Sequence, residues 1–174
     1  MGVLRGLFGG KRDRVTVDAL YRAVVAVARE PDWYRDGGVP DTIDGRFDMI
    51  AALLALVLLR LEGDGEKERR ATVLLAEQFA EDMDGNLRQI GIGDLVVGKH
   101  LGRMMSALGG RLGALRDALA GTGDLTGPVQ RNIFHDAPPS EEAVRFVASR
   151  LKAFHNRLAN LPSEAILAGE IGKP

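Results

Sequence analysis

Cysteine is absent from this 174-residue chain. That excludes a thiol nucleophile, an iron–sulfur cluster, cysteine-ligated zinc and a disulfide framework. Aromatic residues make up only 5%, with one tryptophan, too few for a platform on which nucleic-acid bases stack. Neither sign of charge dominates: 23 Lys and Arg stand against 24 Asp and Glu, a net charge of -1. No global field therefore draws nucleic acid, and no specific nucleic-acid partner is expected. A long hydrophobic run is also missing. The longest, Met49 to Leu59, extends only about 16 Å as a helix, roughly half the thickness of a bilayer core.

Signatures of chemistry fail on inspection. The three histidines, His100, His135 and His155, are too far apart in sequence for one helix face to pair any two as metal ligands. The stretch GDLVVGKH (Gly93 to His100) nearly spells a phosphate-binding loop, but His100 replaces the magnesium-binding hydroxyl and no buried strand precedes it. Asp82, Asp84 and Asn86 open like a calcium loop, yet Leu87 takes the place of its glycine and Gly93 that of its closing glutamate. Ser106, Ser140, Ser149 and Ser163 lack the flanking glycines of a nucleophile elbow. The expectation is a non-enzymatic protein with no cofactor and no metal.

What the sequence does contain is helical periodicity. With 45% hydrophobic and 27% charged residues it has the composition of an ordinary globular domain. The fold class predicted is all-α, a compact multi-helix bundle with two functional irregular segments. Residues 1–14 form a basic and apolar segment, predicted to be flexible, whose Val3, Leu4, Leu7 and Phe8 beside Arg5, Lys11, Arg12 and Arg14 suit peripheral contact with a membrane surface. Its apolar part is too broken for a secretory signal. Residues 15–162 form the helical domain and 163–174 a weak tail.

Within the domain, a first helix runs to about Arg29 with the stripe Val17, Leu20, Val24 and Val27, and Pro31 stops it. A long loop over 30–42 follows. The second helix, Ile43 to Glu62, is the buried centre. The third, Glu66 to Met83, turns Val73, Leu74, Phe79 and Ala80 inward. A second irregular segment covers 82–94. The fourth helix starts from an Asp94 cap and runs to about Leu119 on Val97, Leu101, Met104, Leu108, Leu112 and Leu115. A glycine-rich turn and a short polar segment precede the last helix, which is capped by Ser140 and carries Val144, Val147, Leu151, Phe154 and Leu158 inward. The fourth helix also carries a small residue at every fourth position: Gly98, Gly102, Ser106, Gly110, Ala114 and Ala118. Such a stripe permits close helix approach, either inside the domain or by a partner helix.

Two longer strings are more specific than any short motif. They are REPDWYRDGGVPDTIDGRFDM (Arg29 to Met49) and EDMDGNLRQIGIGDLVVGKHLGRMM (Glu81 to Met105), with GRLGALRDAL following from Gly110 to Leu119. In that order, over about Leu20 to Leu119, they resemble the ubiquinol–cytochrome c chaperone family, assembly factors of the respiratory cytochrome bc1 complex. The resemblance implies an all-helical, non-enzymatic protein that holds newly made cytochrome b, through apolar transmembrane segments, until haem and other subunits join. It further implies a small partner protein and the ribosome as associates. The long N-terminal targeting extension of mitochondrial members is lacking, which fits a bacterial member in the cytoplasm at the inner face of the inner membrane. An aromatic pair common in the family before Gly110 is replaced by Leu108 and Gly109.

The candidate partner- and client-binding residues in these strings are Trp33, Tyr34, Pro40, Asp41, Arg46, Asp48, Met83, Asp84, Leu87, Arg88, Asp94, Lys99, Met104, Met105 and Arg111. Pro40, Asp41, Gly45, Arg46 and Asp48 join a rigid turn to charges beside an apolar helix, with Asp41, Asp48 and Asp84 as alternative partners for Arg46. Met83, Leu87, Met104 and Met105 offer pliable apolar surface for varied helices. An alternative function is an adaptor that recruits a soluble partner or the ribosome through charged loops at Asp36, Asp41, Arg46 and Arg88, without holding the client.

Overall fold

The first helix buries Val17, Leu20, Val24 and Val27 against the rest of the chain, as their spacing requires. The computed structural model describes residues 17–89 and 94–172; the predicted N-terminal segment 1–14 lies outside the described residues. The elements are α1 (17–28), α2 (Pro31–Arg35), α3 (Ile43–Glu62), α4 (Glu66–Gln89), α5 (Asp94–Ala120), α6 (Thr126–Asn132), α7 (Glu141–Ala159) and α8 (Ser163–Leu167). The fold is all-α, with no strand among the described residues.

Helix α3 is the axis. Every residue from Asp48 to Leu58 is buried, as befits a helix apolar on all sides that is enclosed by other helices. It packs on α5, α4 and α7, while α6 bridges α5 and α7. Its start is held by Thr42, whose Oγ1 accepts the Gly45 N–H at 3.1 Å. Its end is tied to α7: Arg60 donates to the carbonyls of Leu158 (3.0 Å) and Leu161 (2.9 Å). Helix α7 begins where the sequence predicts, with Ser140 Oγ accepting the Ala143 N–H at 3.1 Å, and buries its entire apolar stripe.

Five expectations need correction. The loop over 30–42 contains a helix, α2, because Pro31 is pre-set for a first helical position. Helix α4 does not stop at Met83 but continues through Gly85 to Gln89, consuming most of the second irregular segment. The inward stripe of α4 is Ala71, Leu75, Phe79 and Met83, four residues apart, which leaves Val73 exposed on the far side. The polar segment after the glycine turn is helix α6, and the region beyond 162 is packed rather than weak. Ile166, Leu167 and Ile171 are buried, and Gly169 in left-handed conformation (φ 84°) lets the chain press against α1.

Candidate functional site

Between α3, α5 and α6 runs a groove of about 540 Å³, and one carboxylate organises its inner wall. Asp48, on α3, is buried and shared by two partners. One oxygen accepts from the Arg111 guanidinium of α5, and the other lies 2.7 Å from Nε2 of His135. Arg111 also donates to the carbonyls of Asn132 (2.8 Å) and Ala107 (3.1 Å), and its guanidinium lies 5.5 Å from the centre of the Phe47 ring. Phe47 in turn leans on Phe79 at 5.7 Å. Three helices and the segment after α6 are thereby joined through one ion pair.

Burial acts against both charges. It pushes the Asp48 carboxyl above the ordinary aspartate value, opposed by Arg111 and by the His135 contact. It pulls the Arg111 guanidinium down, opposed by Asp48. Each charge offsets part of the other's desolvation cost. Nε of Arg111 is buried and has no acceptor among the described residues. The outer anchor is strained as well: His135 (φ 50°) and Asp136 (φ 60°) are consecutive non-glycine residues in the left-handed region. That conformation is sparsely populated for side chains with a Cβ, and such strain clusters at functional positions.

The rest of the groove mixes apolar and cationic groups. Met104, Ala107, Gly110 and Phe47 give it an apolar side, while His100, Arg103, Arg131, His135 and Asp44 supply polar groups. Arg103 Nη2 lies 2.9 Å from His100 Nδ1. Among the described residues a Cβ added at Gly98, Gly102 or Gly110 would meet nothing within 4 Å, so none of them packs against these glycines of the small-residue stripe. Its far end differs, since Ala118 packs on the core.

The remaining predicted residues fall into separate places. Trp33 is a core residue and not a surface one: it is fully buried, its Nε1 donates to Val27 O at 2.8 Å, and Arg150 covers its ring at 5.0 Å. Met83 is likewise buried, because α4 continues past it and turns it inward. Tyr34 donates to Ala28 O at 2.7 Å and, with Arg29, Arg35, Asp41 and Arg46, lines a second hollow of about 660 Å³. Of the three carboxylates offered to Arg46, Asp41 is the one it binds, at 2.7 Å, which holds the Asp41 carboxyl below its usual range. Asp84 accepts from Arg88 on its own helix at 2.8 Å. Pro40 and Lys99 are exposed, Met105 is half-buried beside Met104, and the side chains of Leu87 and Asp94 lie outside the described residues. The structure thus brings Asp48, Met104 and Arg111 together. It separates them from the Tyr34, Asp41 and Arg46 hollow.

Sequence reasoning missed Phe47, Asn132, Arg131 and His135. Phe47 lies within the first family-like string, but the other three follow a glycine-rich turn outside the strings that carried the resemblance. A lone histidine before Asp136 offers no spacing signal.

The comparisons with known proteins fit this architecture. A family model described as ubiquinol–cytochrome C chaperone matches residues 35–173. The chain belongs to that family. The match reaches well beyond Leu119, through α6, α7 and α8, so the groove and its His135 anchor lie entirely within it. The chain is also similar to the crystal structure of the Cbp3 homolog from Brucella abortus, at 28% identity and a TM-score of 0.85, covering 100% of this chain and 97% of that one. No curated protein matches the sequence. No helix among the described residues is long and apolar enough to cross a membrane, and no cluster of His, Asp or Glu among them is arranged to hold a metal ion.

Proposed function

We propose that this chaperone-family protein assists assembly of the cytochrome bc1 complex by holding an apolar transmembrane segment of newly made cytochrome b in the groove between α3, α5 and α6. The observation that carries the reading is the open apolar side of that groove, bordered by Phe47, Met104, Ala107 and Gly110, in a chain of this family. Burial of apolar surface contributes roughly 25 cal/mol per Å², so holding a segment needs no nucleotide and no cofactor. Shielding it also lowers the aggregation hazard of an unfinished membrane subunit. The half-buried Met104 on the groove wall adapts to helices of different shape. The site of action in this reading is the cytoplasmic face of the inner membrane, with residues 1–14 as the peripheral contact and a small partner protein and the ribosome as associates.

Capture of cytochrome b from detergent-solubilised membranes tests it. The wild-type chain is expected to enrich cytochrome b over a control protein, and Gly110→Leu to lose that enrichment while keeping its fold. Position 110 is open on the groove side, and leucine is the better helix former by about 0.8 kcal/mol. Equal recovery by the wild-type chain and the control would overturn the client assignment.

The adaptor reading is favoured by a different observation, the exposed Asp41–Arg46 pair beside the 660 Å³ hollow. Under it, Arg46→Glu abolishes recruitment of a soluble partner and Gly110→Leu does nothing.

A further inference from the structure

The charges around the α3–α5–α6 groove do not balance. Asp48 is spent, with Arg111 on one oxygen and His135 on the other. On the rim, Arg103 and Arg131 are both exposed. Among the described residues Arg103 touches only the ring of His100, and Arg131 makes no ion pair. Asp44 is the remaining carboxylate of the lining and is exposed too. Two guanidinium groups and one loose carboxylate thus line the groove together with Met104, Ala107 and Gly110.

We propose that this rim binds a carboxylate side chain, an Asp or Glu at the end of the apolar segment that the groove holds. The inference rests on the reading of the groove as the client site and adds the feature by which a segment is chosen. Guanidinium presents parallel N–H donors that match a carboxylate and is more weakly hydrated than ammonium, so it is desolvated at lower cost on binding. Apolar burial gives affinity without selectivity, since one greasy helix resembles another. A charged anchor at a set distance from the apolar side supplies register and suppresses segments lacking the acid. The groove is lined by three helices that set the two guanidinium groups beside an apolar side, an arrangement matched by one acid next to an apolar stretch.

The experiment uses the full chain and two fluorescent helical peptides of Leu and Ala, identical except for one Glu or Gln beside the apolar stretch. The Glu peptide is expected to bind about tenfold more tightly at low salt. That preference should shrink at high salt and vanish in the Arg103→Gln/Arg131→Gln double variant, whose circular dichroism should match wild type. Equal affinities, failure of both peptides to bind, or a preference that survives in the double variant would each overturn the proposal. So would phosphatidylserine vesicles losing their binding to the double variant when the peptides show no preference, since the rim would then serve a lipid surface. Equal peptide affinities with cytochrome b still captured sink only the acidic anchor. A Glu preference with no cytochrome b captured supports the anchor and sinks only the client assignment.

Discussion

Two guanidinium–carboxylate pairs start within eight residues of each other, and their surroundings give them opposite meanings. Arg46 and Asp41 meet at 2.7 Å with more than half of each side chain exposed. Asp48, two residues further on, meets Arg111 with 3% and 6% exposed. Water screens the first pair, which holds a turn in shape and contributes little to stability. The second has lost nearly all its hydration, so each charge is tolerable only while the other is present. Gly45 lies between them: a Cβ there would come within 2.0 Å of the Pro40 carbonyl oxygen, so the turn carrying Asp41 is pressed onto the helix carrying Asp48. The lesson is that residue type and spacing name the partners available, while depth decides what breaking them costs.

The largest effect should come from removing one buried charge. Arg111→Met is expected to destabilise by about 3 to 5 kcal/mol in urea unfolding, because Asp48 is left buried with only His135. The Asp48→Leu/Arg111→Met double variant should lose less than either single one, and a double that loses the sum of both would show that the pair is not coupled. Next comes Gly45→Ala, expected to cost about 2 kcal/mol, since the contact it creates is with backbone that must shift. His135→Ala should cost about 1 kcal/mol through the lost Asp48 contact, with no compensating relief, since alanine also carries a Cβ into the left-handed region.

Acid titration separates the two pairs by sign. Asp41 has its folded value lowered, so its contribution is present above the ordinary aspartate range and is lost as pH falls through that lowered value. Asp48 has its folded value raised. Between the ordinary range and that raised value the folded chain holds a proton that the unfolded chain lacks, and stability from this group grows as pH falls through that window. Subtracting the stability profiles of Asp41→Asn and Asp48→Asn from wild type should therefore give slopes of opposite sign on the acid side. Like signs would dissolve the contrast. The smallest effect belongs to Arg46→Gln, expected to move the melting temperature by no more than about 2 °C.

How far the residues announced this arrangement varies along the chain. Stripes at helical spacing located α1, α3 and α7 because apolar positions there coincide with burial, and Ser140 declared its helix start by chemistry alone. The stripe of α4 was misread at Val73, since a β-branched apolar residue on an exposed face is indistinguishable in sequence from one turned inward. Gly85 lies in the stretch read as irregular, yet α4 runs through it, because one half-buried glycine costs only about 1 kcal/mol relative to alanine and the flanking turns outweigh it. In the second family-like string, Met104 reaches the groove while Met83 is core. Adjacent strings say nothing about which side of a helix faces solvent.

The order of the helices, the buried character of α3 and the family were determined by local pattern: apolar period, caps and long distinctive strings are properties of neighbours in the chain. The groove was decided only in three dimensions. Asp48, Arg111 and His135 are separated by 63 and 87 positions measured from Asp48. Their meeting depends on how α3, α5 and the segment after α6 pack, and on a low-polarity interior that makes an unpaired charge costly enough to enforce that meeting.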